Sequence, residues 1–319
     1  MKPVKIGVIG VGYLGRFHAE KFAGLPEAEL IGIVDTDPET ARQVAQRFNV
    51  PAFSSYRNLL DKVDAVSIVV PTKLHHEIAK EFLKSGVDVL VEKPMTTTIK
   101  EADELIDTAK SAKCIFQVGH LERFNAALLS LDGIIKKPMF IEAHRLAPFK
   151  DRGTDVDVIL DIMIHDIDII LNIVGAPAAS IHAVGVPVVS AEKNDIANVR
   201  LEFATGCVAN VTASRISVKE MRKIRIFQQD AYLSIDFAAQ QVEVYKKIDT
   251  GGQYESPQIS YEQIDIRQQD SLQEELKSFL KSVQSRSVPE VPGEAGRNAL
   301  KVALEIVEQI ESKKTAMKI

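Results

Sequence analysis

The stretch Val4-Lys5-Ile6-Gly7-Val8-Ile9-Gly10-Val11-Gly12-Tyr13-Leu14-Gly15 decides how the rest of the chain is read. A short apolar, β-favouring run ends in three glycines spaced G-x-G-x-x-G, and the residues from Tyr13 to Ala23 continue with helical spacing. A strand that turns sharply into a helix exposes unpaired N–H groups at the helix N-terminus, where they attract phosphate. Gly10 permits the tight turn, Gly12 lets backbone approach a pyrophosphate, and Gly15 allows helix and strand to pack closely. Tyr13 and Leu14, inside the turn, belong to the same expected cofactor surface.

A glycine turn is a weak signal alone. It is joined here by Asp35, which ends the second predicted strand, Glu29 to Val34, about 20 residues further on. A carboxylate there can bind both hydroxyls of a ribose and would repel a 2′-phosphate. The next arginine, Arg42, falls inside a predicted helix, so NAD is expected rather than NADP.

Outward from this unit, β-rich runs alternate with amphipathic stretches as far as Gln117. Further strands are predicted at Ala65 to Val69, Val87 to Val91 and Cys114 to Val118, with helices at Pro38 to Phe48, Leu74 to Ser85 and Lys100 to Ser111. Alternation of this kind builds a doubly wound parallel sheet with helices on both faces. Ligands bind such sheets at the C-terminal ends of the strands. Two stretches lie there: Val70-Pro71-Thr72, with His75 just beyond, and Glu92-Lys93-Pro94. The prolines could simply punctuate strand ends and Thr72 could be a helix cap. A lysine at a central strand tip, however, directs its charge into the crevice where a nicotinamide would lie.

Beyond Gly119 the rhythm changes. Helices are predicted near Arg123 to Ile135 and Val156 to Ile173, followed by strands at Ile181 to Val189, Ile196 to Phe203, Cys207 to Ser214, Arg222 to Gln228, Tyr232 to Phe237 and Gln241 to Lys247. Helices Ser271 to Ser285 and Glu294 to Lys313 close the chain. The expected architecture is α/β: a Rossmann domain over residues 1–120 and an α+β domain over 121–319 with a large, mostly antiparallel, open-faced sheet. Alternation such as Tyr232, Ser234, Asp236 suits a half-polar open face, through which a homo-oligomer, dimer or tetramer, is expected to form.

Composition agrees with two cores: 319 residues, 45% of them hydrophobic. A net charge of -5 and the lack of a dense Lys/Arg run argue against a nucleic-acid partner. The apolar run at the N-terminus is too short for a signal peptide or a membrane span, so a cytoplasmic location is expected. Cys114 and Cys207 lack metal-ligand spacing and read as reduced core thiols; no metal site is expected.

The glycine turn, Glu92-Lys93-Pro94, Gly119-His120-Leu121-Glu122-Arg123-Phe124 and Asp161-Ile162-Met163-Ile164-His165-Asp166-Ile167-Asp168 together resemble the Gfo/Idh/MocA family of oxidoreductases, over essentially the whole chain. The resemblance implies a Rossmann domain followed by an open-sheet domain. It implies catalytic roles for Lys93, Asp161 and His165, and cofactor-side roles for Thr72, His75 and Glu92. The residue chemistry agrees. Asp161 and His165 stand four apart on a predicted helix, so both emerge from one face and the carboxylate can orient the imidazole. An imidazole ordinarily titrates near neutrality and suits the proton lost when an alcohol is oxidised, while Lys93 would stabilise the developing alkoxide. The alternative for His165 is a buried helix histidine bonded to Asp161. Asp166 and Asp168 would either bind substrate hydroxyls or face solvent.

For substrate, His120, Glu122 and Asn125 open the second domain, with His120 assigned to the cofactor and Glu122 to the substrate; Arg123 could instead be a hinge arginine pinning the domains. The run Ala143-His144-Arg145-Leu146-Ala147-Pro148-Phe149-Lys150-Asp151-Arg152 leaves a strand with three cations suited to a diphosphate, Arg145, Lys150 and Arg152, or is a basic surface loop. It is similar to family members acting on sugar nucleotides, which implies UDP-N-acetylglucosamine oxidised at C3 and a pathway aminotransferase as partner. A free-polyol dehydrogenase and a non-catalytic NAD-binding regulator remain the alternatives.

Overall fold

The computed structural model describes residues 2–149, 156–190, 192–248 and 258–317. The chain divides into two compact units, Met1–Leu121 with Asp270–Arg297, and Glu122–Gln269 with Asn298–Ile319.

The first unit alternates β1 (Val4–Ile9), α1 (Gly15–Gly24), β2 (Ala28–Val34), α2 (Pro38–Phe48), β3 (Ala52–Phe53), β4 (Ala65–Ile68), α3 (His75–Lys84), β5 (Asp88–Glu92), α4 (Ile99–Ala112) and β6 (Phe116–Gly119). Neighbouring strands are parallel, in the order β3-β2-β1-β4-β5-β6. The order reverses between β1 and β4, the point at which a crevice opens at the strands' C-terminal ends. β4 and β5 are buried along their whole length because helices cover both faces. The helices begin where side chains replace missing backbone partners. Asp37 accepts the N–H of Glu39 ahead of Pro38, and Thr98 and Glu101 form a reciprocal capping box.

In the second unit, α5 (Ala126–Leu129), β7 (Pro138–Leu146) and α6 (Ile164–Val174) lead into β8 (Ala178–Val186), β9 (Ile196–Phe203), β10 (Val208–Ser214), β11 (Met221–Gln228), β12 (Ala231–Asp236), β13 (Gln241–Ile248) and β14 (Gln258–Ile264). The sheet order is β14-β13-β12-β11-β7-β10-β9-β8, and among the described pairs only β7 and β10 run parallel. Alternate residues such as Ile141, Val199, Leu201, Val211, Ile224 and Leu233 point into one core with Ile167 and Ile170 of α6. The opposite face carries a ladder of rings, Phe140, Phe227, Tyr232, Tyr245 and Tyr261, with successive centroids 4.8 to 5.6 Å apart.

Two helices follow, α7 (Ser271–Ser285) and α8 (Gly293–Met317). The expectation that all of 121–319 forms one domain is corrected by α7. Its Leu276, Phe279, Leu280 and Val283 fill the core of the first unit beside Val4, Ile6, Val8, Phe22 and Leu90. At its end Arg286 pairs with the buried Asp88 of β5. The helix expected at Arg123 to Ile135 is also broken. A 3-10 turn, Leu121–Phe124, is followed by extended Asn125, whose side chain accepts from Ala127 and starts the single turn α5. Cys114 and Cys207 are free thiols whose pKa burial pushes up to about 11. No helix among the described residues is long and apolar enough to cross a membrane.

Because α7 completes the core of the first unit, Phe279→Ala is expected to cost about 3–5 kcal/mol. Urea denaturation checks the size, and amide exchange should accelerate in β1 and β5 while β9 and β10 keep their protection.

Candidate functional site

The glycine turn leaves β1 with almost no spare room. Gly10 sits at φ +83°, and a Cβ there would lie 2.4 Å from the Val69 carbonyl oxygen. A Cβ on Gly15 would lie 1.9 Å from the Gly10 carbonyl oxygen, so the first turn of α1 is pressed against the loop. Gly12 differs: a Cβ there would meet no protein atom within 4 Å. It borders open space beside the helix N-terminus, as close approach of a pyrophosphate requires. Asp35 lies alongside, accepting the Val11 N–H at 2.8 Å and the Asp37 N–H at 3.0 Å. A carboxylate has room for further donors beyond these two, so the ribose hydroxyls remain within its capacity. Tyr13 is 61% exposed, edge-on to Phe17 and capped by the Arg16 guanidinium. These residues fit a dinucleotide.

The other expected cofactor residues collect at the same sheet edge. Val70 and Pro71 follow β4, Thr72 is half-buried in a 3-10 turn, and Glu92 closes β5 ahead of half-buried Lys93. The Lys93–Pro94 peptide is cis. His120, 2% exposed, follows β6. His75 has a different part from the one expected. It is buried, and its ring nitrogens lie 2.9 Å from the Pro94 carbonyl and 2.8 Å from the Val70 carbonyl. Burial pushes its pKa down, against the pull of those carbonyls. It pins two crevice loops together, a positioning role rather than a contact. Glu92 is 9% exposed, accepts the Lys93 N–H at 3.2 Å and faces the His18 ring at 3.4 Å. Burial would raise its pKa, but His18 and Lys93 hold it below the usual value.

In the second unit the helix bearing Asp161 and His165 is not the continuous α-helix expected. Ile159–Met163 form a π turn, with the Ile164 N–H reaching back five residues to the Ile159 carbonyl, and α6 starts after it. Buried Asp157 caps the entry, accepting from Ile159 and from the Nδ2 of Asn194. Asp161 thus sits in the widened turn and His165 in the first turn of α6, both half-buried. π turns of this kind are frequent at functional sites, because the extra residue re-aims a side chain. No residue pattern in the sequence announced it.

Several expected ligand contacts turn out to be structural. Arg145 is 6% exposed and its donors are committed to Asp166 at 2.8 and 3.0 Å and to Glu122 at 2.7 Å. Burial disfavours its charge, yet the two carboxylates raise its pKa above the ordinary value. Burial likewise raises the pKa of Asp166, with Arg145 opposing. Arg145 and Glu122 are therefore corrected from substrate residues to members of a buried ion network. Arg123, read as a domain hinge, instead binds Asp168 through two hydrogen bonds, 2.6 and 3.1 Å. Both aspartates, expected at substrate or solvent, are buried in these pairs. Asn125 bridges Glu122 and the Phe237 carbonyl. Arg152 and Lys150 lie outside the described residues.

The glycine turn, Asp35 and the strand-tip residues of the first unit define a nicotinamide-dinucleotide-binding oxidoreductase fold. Residues 4–120 match the oxidoreductase family NAD-binding Rossmann fold, and residues 137–234 match the GFO/IDH/MocA C-terminal domain. The chain belongs to the Gfo/Idh/MocA family, and its cofactor is NAD. It is 39% identical to the UDP-N-acetylglucosamine 3-dehydrogenase of Acidithiobacillus ferrooxidans, over 97% of this chain and 98% of the relative. A solved structure of that enzyme aligns with a TM-score of 0.92 over 98% of this chain and 99% of that one, at 38% identity. The myo-inositol 2-dehydrogenase of Thermotoga maritima is 28% identical over 98% of both chains.

The glycine geometry separates binding from folding. Gly12→Val should weaken NAD binding by about tenfold or more, a loss of about 1.4 kcal/mol, without lowering the Tm of the free protein. Gly15→Val should lower the Tm itself. Calorimetric titration and thermal melting of both variants check this.

Proposed function

We propose that the chain oxidises the 3-hydroxyl of UDP-N-acetylglucosamine with NAD. The observation that carries this is the identity to the Acidithiobacillus ferrooxidans 3-dehydrogenase, which extends through both units and nearly the full length of each chain. Bound NAD supplies the hydride acceptor. His165, oriented by Asp161, takes the hydroxyl proton, and the Lys93 ammonium stabilises the charge developing on the oxygen. With Arg145 committed to Asp166 and Glu122, the diphosphate falls to Lys150 and Arg152. The preference for NAD over NADP rests on the Asp35 carboxylate; Arg42 is engaged by Glu39 on α2. A regulator without catalysis would have no need of Lys93, Asp161 and His165, and all three are kept.

A free-polyol dehydrogenase is the second reading, favoured by the inositol dehydrogenase relative. The 3-keto sugar invites reductive amination, which makes a pathway aminotransferase the expected partner, supplying amino sugar for lipid A or surface polysaccharide in the cytoplasm. The aromatic ladder across the open sheet face supports a homo-oligomer joined there.

Two measurements test the reading. In a thermal-shift screen with NAD or NADP plus UDP-N-acetylglucosamine or myo-inositol, NAD with the UDP-sugar should give the largest rise in Tm; a larger rise with inositol reverses the substrate assignment. His165→Ala should lower turnover by about 100- to 10,000-fold while keeping the Kd for NAD. For the assembly, light scattering at micromolar protein should report a multiple of the 35.2 kDa chain, and Tyr232→Glu with Tyr245→Glu should return it to monomer.

A further inference from the structure

Beneath the C-terminal ends of β4, β5 and β6 lies a buried polar layer on the sheet face covered by α1 and α7. In-register residues of parallel strands share a face, so Ser67, Leu90 and Gln117 point the same way, and Glu92 follows Leu90 by two residues. Leu90 packs in one core with Leu276 of α7, and Leu276 adjoins Glu275. The Glu92 carboxylate leans over β6, where a Cβ on Gly119 would lie 2.7 Å from its Oε1. From α1, His18 reaches the layer with Nδ1 2.9 Å from the Ser67 hydroxyl and Nε2 3.4 Å from Glu92. From α7 comes Glu275, 0% exposed, with neither carboxyl oxygen hydrogen-bonded among the described residues. Both amide atoms of the fully buried Gln117 also lack a partner there.

Glu275 has no assigned role and is an expensive residue to bury. A buried carboxylate without a cation or donor is strongly disfavoured and takes up a proton instead. The charged group that acts on it is Glu92 of β5; Glu92 in turn faces His18 of α1, and β4 and β6 contribute uncharged Ser67 and Gln117 to the layer. The ion pair of Lys21 with Asp270 lies outside the layer, at the exposed start of α7. We infer that Glu275 is a positioning residue for the cofactor crevice: by staying uncharged it leaves Glu92 the single anion of the layer, and so preserves the contact of Glu92 with the Lys93 N–H. Burial and the negative charge of Glu92 both push the Glu275 pKa well above the usual value, in keeping with this. When Glu275 does ionise, two carboxylates share a buried layer, Glu92 is repelled from its place, and the strand tip carrying Lys93 loosens.

This inference rests on the reading of Glu92 and Lys93 as cofactor-side residues, but its test needs no sugar substrate. The folded-state pKa of Glu275 is raised, so its contribution to stability is complete below the unfolded value and declines as pH rises toward the folded one. The Tm of free wild-type protein should therefore fall relative to Glu275→Gln as pH is raised from about 5 to about 9. A Tm difference that is flat with pH overturns the uncharged state of Glu275. In parallel, the infrared carboxylic-acid band that Glu275→Gln lacks should persist at neutral pH, and fluorescence titration should show the Kd of the wild type for NADH rising about threefold or more relative to Glu275→Gln across the pH at which that band is lost. Loss of that band with no change in the Kd of the wild type relative to Glu275→Gln overturns the link to the crevice. Failure of UDP-sugar turnover alone would strike the substrate assignment and leave both of these outcomes readable.

Discussion

The turn between β1 and α1 is the constraint on which the first unit depends. Gly10 is held in a left-handed conformation against the carbonyl of Val69, and Gly15 rests on the carbonyl of Gly10, so strand, loop and helix are locked at van der Waals contact. The lock fixes the start of α1 at the sheet edge, beside the space that Gly12 leaves open. It also places Asp35 where a single carboxylate braces the loop and remains able to meet a ribose. Cofactor binding here follows from backbone geometry more than from charged side chains.

The second unit is organised by charge rather than by close backbone approach. Two arginines and three carboxylates are buried together: Arg145 with Glu122 and Asp166, Arg123 with Asp168. Removing such charges from water is costly, and their attraction offsets that cost only when the geometry is well satisfied. What the network adds is registration. It fixes α6 against β7 and the turn at Leu121–Phe124, and α6 carries His165 one residue ahead of Asp166. The proposed base is thus held by its neighbour's ion pairs, while the π turn before it sets the position of Asp161.

Much of this could be read in the sequence, because periodic patterns reflect burial directly. The parallel strands of the first unit, the mostly antiparallel sheet and the placement of Glu92 and Lys93 at a strand tip all came from apolar runs and their punctuation. What escaped reading has identifiable causes. β14 is largely exposed, so its residues carry no alternating apolar signal. The π turn depends on one extra residue in a helix whose hydrophobic spacing looks ordinary. Arg145 read as a ligand for phosphate because charge type says nothing about which acid lies opposite, and Asp166 is 21 residues away in the chain. The allegiance of α7 was hidden for a similar reason: an amphipathic helix shows that it has a buried face, not which core it completes.

That allegiance has a consequence for how the protein is made. The cofactor-binding unit is not finished when residue 121 leaves the ribosome, since Leu276, Phe279 and Leu280 of its core are synthesised after the whole eight-stranded sheet. During translation the sheet face under α7, with its buried Gln117 and Glu92, has to wait uncovered while the second unit is built. The order of synthesis therefore runs against the order of function: the fold that grips the dinucleotide begins first and closes nearly last.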